Sequence, residues 1–298
     1  MTDIQKNTAP DVQNIINADL HCHSIVSDGT LTPEALAARA KANGVELWSL
    51  TDHDELDGQT RAAAAARALQ LRYLAGVEIS VSFAGKTVHI VGLGIDPDDG
   101  TLRDGLKHTR GGRERRAREM ADALEQVGLP GAFDGALDHA GNPEMISRTH
   151  FARWLVQTGR CSDMQEVFRR YLTEGKPGFV PHRWAALGDA VRWIQGAGGM
   201  AVIAHPARYK FSANEEYALF SEFKTHGGRG VEVLTGSHSA ADSTRYAKTA
   251  REFQLLASRG SDFHSPEESR TDLGKLPLLS AGLTPVWSAL AHRVHGAG

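Results

Sequence analysis

The chain has 298 residues, 41% hydrophobic and 23% charged, with a formal net charge of −3. That composition suits one large α/β domain or one domain with an insert. It excludes a global basic field for duplex DNA, a disulfide framework, since Cys22 and Cys161 are the only cysteines, and a helical membrane span, since no run of ~18 apolar residues occurs.

The first sixteen residues are polar and lack an apolar signal core, so a flexible tail without a signal peptide is expected, and a reducing, cytoplasmic setting. Short apolar segments then alternate with helical ones. Strands are expected over residues 18–21, 45–50, 73–79, 87–93, 200–204, 230–234 and 255–258. The first helix is punctuated by Thr32 as N-cap, Pro33 at the first helical position and Gly44 past the end. A second opens at Asp57 or Gly58 and runs through 62–66, and two more cover 187–196 and 240–253. Alternation of this kind predicts a parallel sheet, open or closed into a barrel. Between about residues 96 and 181 only helical patterns occur, at 102–127, 147–157 and 163–172. The organisation expected is therefore a tail over 1–16, an α/β domain over 17–95 and 182–290, and an all-helical insertion over 96–181. The C-terminal HGAG is expected to fray.

Residues of metal-binding type sit at the ends of these strands. His21 and His23 close the first, His53 follows the second, Glu78 ends the third, His89 lies in the fourth, His205 follows the fifth, and Asp262 and His264 follow the seventh. Positions i and i+2 of an extended strand face the same way, so His21 projects with His23 and Asp262 with His264. In α/β barrels such strand ends form the active-site rim. Mixed imidazole and carboxylate ligands suit Mn, Zn, Fe or Co rather than an all-oxygen calcium cage. A single histidine is most simply a core or surface residue, but an ordered set of this length points to a metal-dependent hydrolase.

The motifs Asp19-Leu20-His21-Cys22-His23-Ser24, Ser27-Asp28-Gly29, Thr51-Asp52-His53-Asp54, Gly76-Val77-Glu78-Ile79, His89-Ile90-Val91-Gly92, Ala204-His205-Pro206 and Ser261-Asp262-Phe263-His264 together resemble the PHP (polymerase and histidinol phosphatase) family. The resemblance covers roughly residues 17–285. The segments around Arg148 and from Gly198 to Tyr209 are similar to the branch that removes phosphate from nucleoside 3′,5′-bisphosphates, whose members also act as the 5′-to-3′ exoribonuclease RNase AM. It implies a distorted seven-stranded β/α barrel and two or three divalent metals, Mn being the expected activator. One metal site would comprise His21, His23, Glu78 and Asp262. A second would share Glu78 with His89 and His205, and a third would use Asp28, His53 and His264. Asp28 stands where some relatives carry His.

Phosphate monoesters hydrolyse very slowly unaided, and a two-metal centre can supply much of the missing rate. Glu78, with two carboxylate oxygens, suits a bridging role. Asp262 could orient the nucleophile, and His264 or His205 could protonate the leaving 3′-oxygen. Arg148, beside Ser147 at a helix start, is the leading phosphate clamp because guanidinium binds phosphate bidentately. Arg208 is second, and His150 and His238 are peripheral candidates. The basic run from Arg110 to Arg118 reads as a solvated helix face with Glu114 and Glu119 pairing its arginines. Gly85-Lys86-Thr87 is no P-loop, because a strand follows it. Cys22 should face away from its histidine neighbours. The function expected is hydrolysis of the 3′-phosphate of a nucleotide bisphosphate, with short RNA as a further substrate. Rival readings are a histidinol-phosphate-type phosphatase, a non-catalytic PHP module and a metal-dependent C–N hydrolase.

Overall fold

The computed structural model describes residues 16–296. All but the last residue of the expected tail lies outside the described residues. The chain begins with β1 (Ala18–Asp19), α1 (Pro33–Ala42), β2 (Leu47–Trp48), α2 (Gln59–Ala68), β3 (Arg72–Tyr73), β4 (Gly76–Phe83) and β5 (Lys86–Leu93). Helices α3 (Gly100–Arg110), α4 (Arg113–Glu125), α5 (Ala132–Leu137), α6 (Arg148–Gln157) and α7 (Met164–Val167) follow, the last running into a π-helical turn, Phe168–Leu172. The fold resumes with β6 (Ala185–Ala186), α8 (Leu187–Gly196), β7 (Met200–Ile203), α9 (Ala213–Thr225), β8 (Gly230–Thr235), α10 (Ala240–Glu252), β9 (Leu256–Gly260) and α11 (Val286–Ala289).

The α/β fold is as expected, but the distorted seven-stranded β/α barrel is not found as one closed sheet among the described residues. The strands make two sheets, β1-β2-β3 and β6-β4-β5-β7-β8-β9. Isolated backbone bridges join them, Cys22 to Phe263 and His53 to Glu78. Nor is the large sheet parallel throughout, because β5 runs antiparallel to both β4 and β7. The reason is local. Ala84 and Gly85 both have positive φ, at 47° and 75°, and so make a two-residue turn whose twist folds β4 directly onto β5. The Gly-Lys-Thr sequence is thus a hairpin. The expected strand over 73–79 is split into β3 and β4. The expected helix over 102–127 breaks at Gly111 and Gly112 into α3 and α4. Neither β6, α5 nor α9 was foreseen. At the C-terminal end His295 does not fray, since it exchanges two backbone hydrogen bonds with Tyr73.

The large sheet is buried on both faces. Val88 and Ile90 of β5 enter the main core under the outer helices, while Val91 and Leu93 enter a second cluster with Leu20, Met200, Val202 and Trp287. Glu78 and Glu232 alternate with Val77, Ile79, Val231 and Val233 of the main core, so they point to the opposite face. A third cluster, Met120, Leu124, Phe151, Leu155 and their neighbours, belongs to α4–α7 alone. Leu102 and Leu106 of α3 pack in the main core instead.

Gln59 shows how the split strand is held. Its side chain is buried and fully bonded: Nε2 donates to the carbonyls of Leu50 (2.9 Å) and Gly76 (2.7 Å), and Oε1 accepts from the Tyr73 hydroxyl (2.6 Å) and the Gly76 N–H (3.2 Å). One amide thus joins β2, β3 and β4 around the break. Leucine there would strand four buried polar groups, each costing about 1–3 kcal/mol. Gln59→Leu should therefore lower unfolding stability by at least ~3 kcal/mol, read as a drop in urea midpoint at unchanged m-value.

Candidate active site

The strand ends converge on Glu78, which is fully buried. Its two carboxylate oxygens lie 3.3 Å from His21 Nε2, 3.3 Å from His23 Nε2, 2.9 Å from His53 Nδ1, 3.0 Å from His89 Nδ1 and 3.0 Å from His205 Nε2. Asp262 Oδ1 sits 3.5 Å from His21 Nε2 and 3.3 Å from His23 Nε2, and His264 Nε2 lies 3.3 Å from Asp28 Oδ1. All nine residues proposed as ligands come together in this one cluster. The grouping agrees in part with that implied by the resemblance: His21, His23 and Asp262 form one group, as in the first expected site, and Asp28, His53 and His264 fall together in another, as in the third. His23 joins Asp28, His53 and His264; His21 joins Glu78 and His205; His53 also shares a group with Glu78 and His89, the candidate atoms of each group lying within 4.8 Å of one another. His23 thus stands between two groups, its ring stacked on His53 and His264 at 4.3 and 4.2 Å.

These residues fit divalent cations. Among the described residues, Glu78 Oε2 and Asp28 Oδ1 are buried oxygens with no hydrogen-bond donor, and His23 Nδ1 and His205 Nδ1 are buried nitrogens without a partner. His21 Nε2 and His23 Nε2 face each other at 3.1 Å. Burial, then His264 and His53, push the His23 pKa down to about 3, and burial and Arg208 push that of His205 down to about 3. Both rings are neutral at physiological pH, the form that binds metal. Burial opposes charge on His21, but Glu232, Glu78 and Asp262 outweigh it and hold its pKa well above the ordinary value.

Glu232 was not foreseen. Its Oε1 lies 2.8 Å from His21 Nδ1, and its Oε2 accepts the His205 backbone N–H at 2.7 Å. The available signal was a single acid flanked by valines in an apolar strand. Cys22 faces away from the cluster, as expected, and its sulfur accepts the Trp48 indole N–H at 3.2 Å. Gly260 lets β9 approach β1, since a Cβ there would lie 2.3 Å from His21 Cβ.

Beside the cluster is a polar chamber of about 110 Å³, lined by Asp28, His53, His89 and His264 of the cluster and by Arg113, Arg116, Arg148 and Arg208. The basic run is therefore not wholly a solvated face. Arg115 and Arg118 do pair outward with Glu119 and Glu114, each at 2.8 Å. Arg113 and Arg116, three residues apart and buried, turn inward instead. Arg113 pairs with Asp54 and Arg208 with Asp262 at 2.7 Å. Arg116 and Arg148 make no ion pair among the described residues and bond only to the carbonyls of Val180 and Leu172. Burial first, then neighbouring guanidiniums, lower the pKa of Arg148 to about 10 and that of Arg116 to about 9. Both remain cationic, and the pocket is short of negative charge. The Trp184 ring packs on Arg113 and Arg116, 4.8 and 5.5 Å away.

Two expected substrate contacts are elsewhere. His150 turns its Nδ1 back to accept the Ser147 N–H at 3.0 Å, completing the N-cap of α6. His238 bonds the Val233 carbonyl at 3.1 Å and stacks on Tyr246. Neither lines the chamber. A histidine three residues after a serine N-cap has a local hydrogen-bonding role available, and sequence alone does not distinguish it from a ligand contact.

Residues 19–173 match the model of the PHP domain. The chain is 52% identical to the 3′,5′-nucleoside bisphosphate phosphatase of Chromobacterium violaceum, over 93% of this chain and 98% of that one. It is 40% identical to the 5′-3′ exoribonuclease Rnm of Escherichia coli, over 90% and 92%. Among solved structures, a Chromobacterium violaceum chain described as an amidohydrolase, with sulfate bound and no metal, superposes with a TM-score of 0.91 at 52% identity, covering 94% of this chain and 97% of that one. A proposed metal-dependent phosphoesterase from Bifidobacterium adolescentis superposes with a TM-score of 0.78 at 27% identity, over 93% and 96%.

Glu232 orients His21, and outer carboxylates on ligand histidines are typically worth 10–100-fold in metal affinity. Glu232→Gln should weaken the tightest Mn binding by about that factor, measured by calorimetric titration of chelator-stripped protein. An unchanged isotherm would remove Glu232 from the metal-supporting shell.

Proposed function

The chain belongs to the PHP family, and from that premise we propose that it hydrolyses the 3′-phosphate of nucleoside 3′,5′-bisphosphates to give a nucleoside 5′-phosphate and phosphate, and that it trims short RNA from the 5′ end. The observation that carries this reading is the juxtaposition of a nine-residue ligand cluster with two uncompensated guanidiniums, the buried Arg116 and the half-buried Arg148, on the lining of one small chamber. A substrate with one reacting phosphate and one spectator phosphate satisfies both. A neutral amide, as a C–N hydrolase would take, offers Arg116 and Arg148 no charge to bind.

His21, His23, Asp28, His53, Glu78, His89, His205, Asp262 and His264 would hold two or three divalent ions, with Mn as our proposed activator. Such ions supply a nucleophile near neutral pH and offset charge on the phosphoryl oxygens. The chain's own residues do the rest. Glu232 fixes the His21 ring. Arg116 and Arg148 hold the spectator phosphate, and Arg113, tied to Asp54, keeps α4 seated. Arg208, bonded to Asp262 and more exposed, meets the phosphoryl group at the mouth. Water adds to phosphorus, the bond to the 3′-oxygen breaks, and that oxygen gains a proton. Of the two candidate donors, His264 lies on the chamber wall, whereas His205 is turned onto Glu78. We therefore assign the proton to His264 in a two-ion form of the centre, in which its Nε2 would ligate no metal. We also infer that α4–α7, with their separate core, form a capping unit. Unpaired Cys22 and Cys161 suit a reducing compartment. No helix among the described residues is long and apolar enough to cross a membrane.

Phosphate release from nucleoside 3′,5′-bisphosphates, histidinol phosphate and short RNAs tests the reading directly. Chelation should abolish turnover and Mn should restore it. Glu78→Gln should fold normally and lose at least ~10³-fold in kcat. A variant within tenfold of wild type would place Glu78 outside the reacting centre.

Arg148→Ala tests substrate choice. Losing a charge-assisted contact to the spectator phosphate should cost about 1.5–3 kcal/mol of binding, expressed mainly in KM. The comparison is kcat/KM for a bisphosphate against a 3′-monophosphate. Equal losses on both would show that Arg148 does not select for the second phosphate.

A further inference from the structure

The chamber opens into two larger grooves. The first, about 480 Å³, shares His264, Arg208, Thr149 and Phe168 with the chamber and reaches Asp262. The second, about 840 Å³, shares Met164, Phe168, Arg208, Glu268 and Arg270 with the first, and runs outward between α6–α7 and the 265–270 segment without touching the ligand cluster except through Arg208. A phosphate group needs neither groove. A nucleoside fits the first, which leaves the outer one unused by a bisphosphate.

We propose that the outer groove receives the second nucleoside of a single-stranded RNA, with its 3′-phosphate meeting Arg270. This rests on the hydrolase reading given above. Phe168 and Met164 are half-buried and offer an apolar platform that suits a stacked base. Arg270 is exposed and makes no ion pair among the described residues, as does Lys210 on the inner groove. Of the acids lining the outer groove, Glu268 alone is paired with a cation among the described residues, and the other two accept neutral donors. Glu268 binds Arg153 through two bonds of 2.7 and 2.8 Å, Glu267 accepts the Ser265 hydroxyl, and Asp163 caps α7. The wall is mixed in charge, and its unpaired cation, Arg270, shares the lining with the half-buried Phe168 ring, a cation and an aromatic of the kind that track single strands without reading sequence.

The chemistry agrees with this path. In an RNA the scissile phosphoryl carries the next nucleoside on one non-leaving oxygen, so the chain must depart from the centre sideways. Water adds to phosphorus, the bond to the 3′-oxygen of the terminal nucleotide breaks, and that oxygen is protonated. The shortened RNA retains the phosphate as a new 5′-phosphate. That is the group for which Arg116 and Arg148 are poised, so each product is chemically the next substrate.

The test is Arg270→Glu and, separately, Met164→Glu, each assayed on a nucleoside 3′,5′-bisphosphate and on a 5′-phosphorylated tetranucleotide. The ratio of kcat/KM for tetranucleotide to bisphosphate should fall at least tenfold in both, and the Arg270→Glu loss should shrink as salt rises. A ratio within twofold of wild type in both variants overturns the proposal. Fluorescence anisotropy of a labelled tetranucleotide, in chelator and without turnover, separates the two readings. A wild type that hydrolyses neither substrate defeats the hydrolase reading. The groove then stands if Arg270→Glu weakens tetranucleotide binding at least tenfold, and falls if it does not.

Discussion

The structure depends on a buried carboxylate. Glu78 has no solvent exposure and stands within 3.3 Å of five imidazoles. Burial alone would drive its pKa up, but His89, His21 and His53 hold it well below the ordinary value. An isolated carboxylate at this depth would be prohibitive, and its partners must be brought to it from several strands. The hairpin at Ala84 and Gly85 brings His89 back across β4, β7 delivers His205, and the bridge between residues 53 and 78 delivers His53. The mixed sheet is therefore part of the site's chemistry, since His89 would not face Glu78 if β5 ran parallel at a distance.

The helical segment is tied to this centre by groups that are themselves part of it. Thr149 donates to Asp28 at 2.9 Å, Arg113 pairs with Asp54, and Arg153 binds Glu268. Asp54 also accepts the Ser80 N–H and hydroxyl, two residues along the strand from Glu78. Arg113 is thus coupled to β4 through one carboxylate. The consequence is electrostatic as well as geometric. The two arginine pairs each neutralise a cation, whereas Arg116 and Arg148, which make no ion pair among the described residues, line the chamber. Where charge is left uncompensated is where an anionic substrate gains most.

Much of the site could be read in the sequence, and the reason is periodicity. His21 and His23, and Asp262 and His264, carry the i, i+2 signature of extended chain, and the ordered ligand set follows the strand ends. Thr32, Pro33 and Ser147 mark helix starts through local hydrogen bonding that sequence records directly. The remainder needed three dimensions. Arg113 and Arg116 differ from Arg115 and Arg118 only in which way a helix of 3.6 residues per turn points them, and that depends on where α4 docks. The sheet failed to close because pairing is set by twist and by bridges at irregular residues such as Cys22 and Phe263, which no alternation pattern encodes. His150 and His238, read as peripheral candidates, were ambiguous in sequence because a neutral imidazole satisfies a backbone group as readily as a substrate.

The backbone around the centre is strained in a way that argues for preorganisation. Among the described residues, Asp54, His205 and Asp262 all have positive φ, at 47°, 26° and 56°, and all flank or belong to the cluster. Such conformations cost of order 1–3 kcal/mol each in a non-glycine residue and persist only where surroundings fix them. Here the fixing groups come from the site itself. The Asp54 N–H donates to the Glu78 carbonyl at 2.8 Å, the His205 N–H to the Glu232 carboxylate at 2.7 Å, and the Asp262 N–H to the His21 carbonyl at 2.9 Å. Each strained residue is thus bonded to a strand that presents another member of the cluster. A relaxed strand end would carry its side chain away from Glu78 and lose the bond at the same time. The ligand geometry is therefore set by backbone hydrogen bonds between the strands, and cations entering the cluster would find the histidines and carboxylates already turned toward one another.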